Sequence, residues 1–243
     1  MKKNQDYKNA ALAALKGNWS HALVATIVFL LISLCFVGPF YAIDPMTYPK
    51  VFLGLAGGLT FAELLVIIPL QVGYYNTLKE LYVSGDNRLT SNMFSLGFRK
   101  YFKVIVTYLL YGIIVMIGFL IFIIPGFILA FAYALVPYLL VDEPDLSITQ
   151  TLKRSRLLMK GHKFDLFYLE LSFIGWALLA ILTIGIGYLW LIPYIYTSIG
   201  VFYKDVVNGT AGMPVSPAAM PSAEPAASAP ENYMPSDETS SGE

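Results

Sequence analysis

The chain alternates long apolar stretches with short segments that are polar and basic. Because about 20 helical residues span the roughly 30 Å hydrocarbon core of a bilayer, apolar stretches of that length predict transmembrane helices. Six stretches are close to this length or exceed it, at 20–40, 51–75, 104–124, 126–141, 164–183 and 187–203. The pattern predicts an all-α fold, a polytopic bundle of six transmembrane helices.

A repeat accompanies these stretches. A glycine precedes each odd-numbered stretch and a proline lies in each even-numbered one: Gly17, Gly97 and Gly161, then Pro69, Pro137 and Pro193. Glycine at a helix end adopts the left-handed conformation that redirects the chain, and proline bends a membrane helix. The predicted unit is a helical hairpin preceded by an interfacial amphipathic helix, repeated three times. Transporters with broken helices and simple duplication of a packing unit both give such a pattern.

The clearest interfacial helix is predicted over 147–160. Ser147 and Gln150 form a capping-box pattern at its start. Four residues share one face, Ile148, Leu152, Ser155 and Met159. The candidate contacts for anionic lipid are Lys153, Arg154, Arg156, Lys160 and Lys163. Near a headgroup layer each basic residue contributes about 1 kcal/mol, although the same charges also set topology.

The basic residues predict the orientation of the bundle. Of the 16 Lys and Arg residues, all but Lys50 fall in segments that face one side of the predicted bundle. Short cytoplasmic loops are enriched in Lys and Arg, so both termini are expected in the cytoplasm.

Composition agrees with a membrane protein. Apolar residues make up 57% of the chain and charged residues 13%, where a soluble domain has about 25% charged residues. The formal net charge is zero, which gives no reason to expect nucleic acid as a partner. We expect two parts, a six-helix transmembrane domain at 1–207 and a disordered cytoplasmic tail at 208–243 that is rich in Pro, Ala and Ser. The tail is either a solvated end or a docking segment.

Ionisable groups inside apolar stretches are the candidate functional residues, because a charge at mid-bilayer costs about 2.5–3.5 kcal/mol. Glu63 and Glu170 qualify, with Asp165 a helical turn before Glu170. They form either a polar intramembrane site or hydrogen-bonded packing between helices. The single cysteine and two histidines predict no metal site, and no catalytic motif is present. We therefore expect no catalytic residues, no cofactor and no enzyme activity.

Several motifs support a family resemblance. These are LKGNW at 15–19, IIPG at 123–126, SRLLMKGH at 155–162 and IPY at 192–194. From about Lys8 to Asp205 the chain resembles a bacterial family of uncharacterised multi-pass integral membrane proteins, a domain of unknown function. The layout is also similar to the membrane domain of some glycerophosphodiester phosphodiesterases. The resemblance implies a helical domain in the bacterial cytoplasmic (inner) membrane and brings no catalytic residues.

The leading functional expectation is a non-enzymatic membrane scaffold that interacts with lipids, anionic ones included, or with a protein partner through its cytoplasmic face or tail. The alternative is a small-solute or ion transporter that uses Glu63 and Glu170. An intramembrane enzyme is a third class, and it would need a polar cluster around those glutamates.

Overall fold

The computed structural model describes residues 3–42 and 46–210, and within them the regular secondary structure is entirely α-helical. The helices of these residues are α1 (Asn4–Leu15), α2 (Trp19–Ala42), α3 (Pro49–Ser84), α4 (Leu89–Phe98), α5 (Tyr101–Ile121), α6 (Ile123–Ala132), α7 (Val136–Asp142), α8 (Ile148–Leu158), α9 (Lys163–Leu171), α10 (Ile174–Leu182) and α11 (Tyr188–Thr210). The all-α prediction is confirmed for the described part of the chain.

Five segments in these residues are long and apolar enough to cross a membrane: Trp19–Phe36, Pro49–Ser84, Tyr101–Ile121, Ile123–Asp142 and Lys163–Leu182. They correspond to the first five predicted stretches. The sixth stretch lies in α11, which has 23 residues and is outside this set. Tyrosine, threonine and serine side chains alternate there with apolar ones and lower the mean hydropathy.

Helix α3 is longer than the predicted second stretch, which ended at Tyr75. It continues through 36 residues and carries Pro69 inside it. Proline has no N–H, so the carbonyl of Leu65 loses its partner within the helix. The hydroxyl of Tyr101, at the start of α5, donates to that carbonyl over 3.0 Å. The freed acceptor is thus satisfied, and α3 continues past the proline.

The fourth and fifth predicted helices are each divided in two. A turn at 133–135 separates α6 from α7, and Ser172 and Phe173 separate α9 from α10. Pro137 explains the first break, because it cannot donate to the carbonyl of Tyr133. Periodicity alone does not predict such breaks, since apolar residues continue through both halves of each stretch.

Two of the three predicted redirecting glycines are confirmed. Gly17 has φ 84° and Gly161 has φ 89°, both in the left-handed region. The prediction for Gly97 is wrong, because that residue lies inside α4. A Cβ atom there would overlap the carbonyl oxygen of Pro69, and one at Gly73 would overlap that of Met93. These two glycines therefore allow α3 and α4 to pack backbone against backbone.

Buried side chains concentrate toward one end of the helices. In α3 the buried apolar residues are Leu70, Val72, Tyr74, Leu78 and Leu81, whereas Val51, Leu53, Phe61 and Leu64 are exposed. The turn between α5 and α6 likewise exposes residues 120–124. Large exposed apolar surfaces of this kind are typical of contact with hydrocarbon.

Helix α11 ends at Thr210, three residues past the predicted domain boundary at 207. The rest of the predicted tail lies outside the described residues.

Candidate functional site: a charged cluster and a basic face

Lys79, near the end of α3, is the centre of a charged cluster at the packed end of the helices. Its side chain has no exposed area. The ammonium forms ion pairs with Glu80, at 3.0 Å, and with Asp142 at the end of α7. A Cβ at Gly200 would approach the Cα and Cβ of Lys79 to within 3.2 Å, so the absence of a side chain lets α11 pack closely against this lysine.

Asp142 joins three helices. Besides its pair with Lys79, its Oδ2 atom accepts from Lys204 Nζ at 2.7 Å and from the hydroxyl of Tyr203 at 3.1 Å. Tyr203 also stacks on Tyr138 of α7, with ring centroids 5.0 Å apart. The ends of α3, α7 and α11 are thus connected through one carboxylate. We name Lys79, Glu80, Asp142, Tyr203 and Lys204 the charged cluster.

The charges of the cluster balance, with two lysines against two carboxylates. Desolvation of a buried ion costs several kcal/mol, and pairing with good hydrogen bonds recovers much of that cost. Removing one partner leaves the other charge buried and uncompensated, which is strongly destabilising. The arrangement fits a structural connection between helices.

The first and last described helices meet at the same end. The hydroxyl of Tyr7 in α1 donates to Asp205 Oδ2 in α11 at 2.8 Å. Lys8 donates to the carbonyl of Ser172 at 2.9 Å and lies 4.4 Å from the centre of the Phe173 ring. Burial lowers the pKa of the Lys8 ammonium. Helix α1 is therefore packed into the fold, with Tyr7, Ala11 and Leu15 buried.

Helix α8 begins with the predicted capping box. Ser147 Oγ accepts from Gln150 N at 3.3 Å, and Gln150 Oε1 accepts from Ser147 N at 2.8 Å. Of the four residues predicted to share a face, Leu152, Ser155 and Met159 are buried and Ile148 is half-buried. Ser155 Oγ donates to the carbonyl of Ala132 at 3.0 Å, so this face packs on protein.

The outer side of the same segment is basic. Lys153, Arg156 and Lys160 are exposed, and no ion pair holds any of them within the described residues. Lys153 and Arg156 are three residues apart on α8 and so lie on one side of it, and Lys160 follows in the turn after the helix. Arg154 is used differently, since its Nε atom lies 3.4 Å from Glu143 Oε1. We name Lys153, Arg156 and Lys160 the basic face. Lys163, the fifth predicted lipid contact, is half-buried at the start of α9.

The predicted intramembrane carboxylates lie on separate helices. Glu63 is half-buried in α3, and Glu170 is exposed in α9. Asp165 Oδ2 lies 3.2 Å from His162 Nδ1. No described contact joins Glu63 to Glu170, and the described residues contain no group of three His, Cys, Asp or Glu side chains that could hold a metal ion.

The family model described as a protein of unknown function (DUF975) matches residues 59–209, which is more than half of the chain. The chain belongs to this family. The DUF975 match includes the charged cluster and the basic face and begins within α3, whereas the expected resemblance began near Lys8. Comparisons with curated proteins and with solved structures found no match. The similarity to the membrane domain of phosphodiesterases stays a prediction.

Sequence reasoning did not find the charged cluster. Lys79 and Lys204 belong to the basic residues that predict the orientation, and Asp142 directly follows the fourth predicted stretch. A usable signal was present, because each of the three residues follows the end of an even-numbered stretch by four residues or fewer. Three such ends that return to one side bring their charged residues together.

Proposed function

We propose that this DUF975 protein is a non-enzymatic scaffold of the bacterial inner membrane, with six crossings and both termini in the cytoplasm, whose basic face binds anionic lipid headgroups. A cytoplasmic protein partner would approach through the same face or through the tail.

The even number of crossings is supported by the contacts between the two ends of the domain. Tyr7 of α1 bonds to Asp205 of α11, so both helices reach one end of the bundle. The ion pairs of the charged cluster bring the ends of α3 and α7 to the same end of the bundle. A chain that starts and finishes on one side of a bilayer crosses it an even number of times, and α11 then supplies the crossing that its hydropathy alone does not indicate.

The distribution of charge supports the proposed orientation. The packed end of the helices carries Lys79, Lys204 and the basic face, whereas Lys50 lies at the start of α3, at the opposite end of that helix. Because cytoplasmic loops carry the excess of Lys and Arg, the packed end is assigned to the cytoplasm.

The observation that carries the lipid-binding role is the difference between Arg154 and its neighbours. Arg154 is paired with Glu143, while the basic face is exposed and held by no acid in the described part of the chain. An exposed group of cations beside apolar helices matches the charge of an anionic headgroup layer.

The test compares two triple variants by native mass spectrometry in a neutral detergent, titrated with short-chain phosphatidylglycerol or phosphatidylcholine. Lys153→Gln/Arg156→Gln/Lys160→Gln removes the basic face. Lys3→Gln/Lys16→Gln/Arg99→Gln removes three exposed charges elsewhere. At about 1 kcal/mol per residue, the first triple weakens binding of phosphatidylglycerol about 100-fold. The control triple keeps the affinity for phosphatidylglycerol within a few-fold of the wild-type value. Both triple variants bind phosphatidylcholine as the wild type does. The proposal is contradicted if the two triple variants lose affinity for phosphatidylglycerol equally, or if the first triple variant loses none.

A further inference from the structure

A groove of about 490 Å³ lies between α6 and α9. Its lining consists of Ile124, Phe127, Ile128, Phe131, Lys163, Phe164 and Phe167. The rings of Phe131 and Phe167 meet edge to face, with centroids 5.8 Å apart, and so pack the two helices together within the groove. The volume falls in the range of roughly 300–1,000 Å³ that small-molecule sites occupy.

The lining is apolar except for one residue. Ile124, Phe127 and Phe164 are more than half exposed, so the groove is open on its outer side. Both helices belong to segments long and apolar enough to cross a membrane, Ile123–Asp142 and Lys163–Leu182. A groove of this kind, open to hydrocarbon, matches the chemistry of a lipid acyl chain.

The exception is Lys163, the only charged residue in the lining. It is half-buried at the first position of α9. The nearest acid along the chain, Asp165, contacts His162 instead, and no ion pair holds Lys163 within the described residues. Its ammonium is therefore available to an anionic group that enters with an apolar chain.

We infer that one anionic phospholipid binds at this groove, with an acyl chain along the phenylalanine and isoleucine side chains and its phosphate against Lys163. The inference rests on the proposed membrane location but not on the basic face, which lies on α8 and the turn that follows it. Its lipid is held by two kinds of contact, so it exchanges more slowly than lipids attracted by surface charge alone.

The experiment measures how much phosphatidylglycerol stays bound after extensive washing in neutral detergent. Native mass spectrometry of the wild type is expected to show one retained phosphatidylglycerol per chain and little phosphatidylcholine. Lys163→Gln removes the phosphate contact, and Ile128→Trp fills the groove. Each is expected to lower the retained lipid at least fivefold. Lys16→Gln and Ile113→Trp are matched controls, because Lys16 is exposed and belongs neither to the groove nor to the basic face, and Ile113 does not line the groove. Both variants are expected to retain the lipid as the wild type does.

A photoreactive acyl chain on phosphatidylglycerol gives an independent readout. Crosslinks are expected on peptides that contain Phe127 or Phe164, and Ile128→Trp reduces them. Retention or crosslinking in Lys163→Gln and Ile128→Trp equal to the wild type overturns the inference. So does a wild type that retains the two lipids equally. The two proposals fail separately. If the triple variant of Lys153, Arg156 and Lys160 binds titrated phosphatidylglycerol as the wild type does, the proposed basic face is wrong. The single retained lipid depends on the groove and is expected to stay bound in that triple variant.

Discussion

At the scale of single residues, Lys79 and Asp142 show how charges inside an apolar bundle are tolerated. Lys79 has no exposed side-chain area, and its partners come from its own helix and from α7. Asp142 also accepts hydrogen bonds from Lys204 and Tyr203 of α11. Every formal charge in this group has a counter-charge, and the pairing connects helices far apart in sequence.

Neutralising Asp142 is therefore expected to be costly. Asp142→Asn leaves Lys79 buried with Glu80 as its remaining acid, so we expect a loss of about 3 kcal/mol in the free energy of unfolding, at the lower end for broken buried pairs. Thermal unfolding in detergent, followed by tryptophan fluorescence, measures the effect. Asp145→Asn is the control, because Asp145 is 98% exposed and its pair with Lys100 is worth at most about 1 kcal/mol. Equal stability of the two variants contradicts the structural role of the cluster.

Residue patterns predicted some contacts and missed others for a physical reason. The capping box of Ser147 and Gln150 is local, so the sequence specifies it fully. Gly17 and Gly161 are similar cases, since each follows directly from its position at a helix end. Contacts of Lys79 with Asp142 depend on how α3 and α7 are arranged in space, which spacing along the chain does not reveal.

At the scale of elements, α3 and α4 cross with their backbones in close contact, and glycines lie at the crossing. Gly73 and Gly97 face each other's helix backbones with no room for a side chain. The sequence contained Gly97 but suggested a turn there, because a glycine in a polar segment has the same pattern in a turn and in a close helix crossing. The two differ only in φ and in the partner helix.

Gly97→Ala is expected to destabilise the protein. The added Cβ would overlap the carbonyl oxygen of Pro69, which is backbone and moves only if the helices separate. Overpacking costs about 1–3 kcal/mol or more, seen as a lower midpoint of thermal unfolding. Gly112→Ala on α5 is the matched control, because nothing lies within 4 Å of its Cβ position, and it should be neutral or gain up to about 1 kcal/mol from helix propensity. A Gly97→Ala variant as stable as Gly112→Ala would show that α3 and α4 do not pack this closely.

Helix existence was predictable from apolar length, whereas helix ends and breaks were not. Pro69 lies in an unbroken helix, while Pro137 follows a turn. The difference has a visible cause in α3, where Tyr101 satisfies the carbonyl that Pro69 frees. That partner comes from another helix, so a rule based on proline alone could not distinguish the two positions.

At the scale of the whole molecule, the proposed topology consists of three hairpins that return to one end. Helices α3, α7 and α11 end at the charged cluster, and α1 joins α11 there through Tyr7 and Asp205. The opposite ends of the hairpins expose apolar side chains. This arrangement gives a packed end, on which the basic face is exposed, and a remainder that exposes apolar side chains.

Cysteine accessibility tests this topology most directly. In a Cys35→Ala background, single cysteines replace residues at the three hairpin tips and at the two ends of the domain, namely Lys50, Phe122, Ile186, Gln5 and Asn208. Intact cells are treated with a membrane-impermeant maleimide, and a second sample is treated after permeabilisation. The proposed topology predicts labelling of all three tips in intact cells and labelling of positions 5 and 208 only after permeabilisation. A tip that stays unlabelled in intact cells, or ends that label from opposite sides, would contradict it.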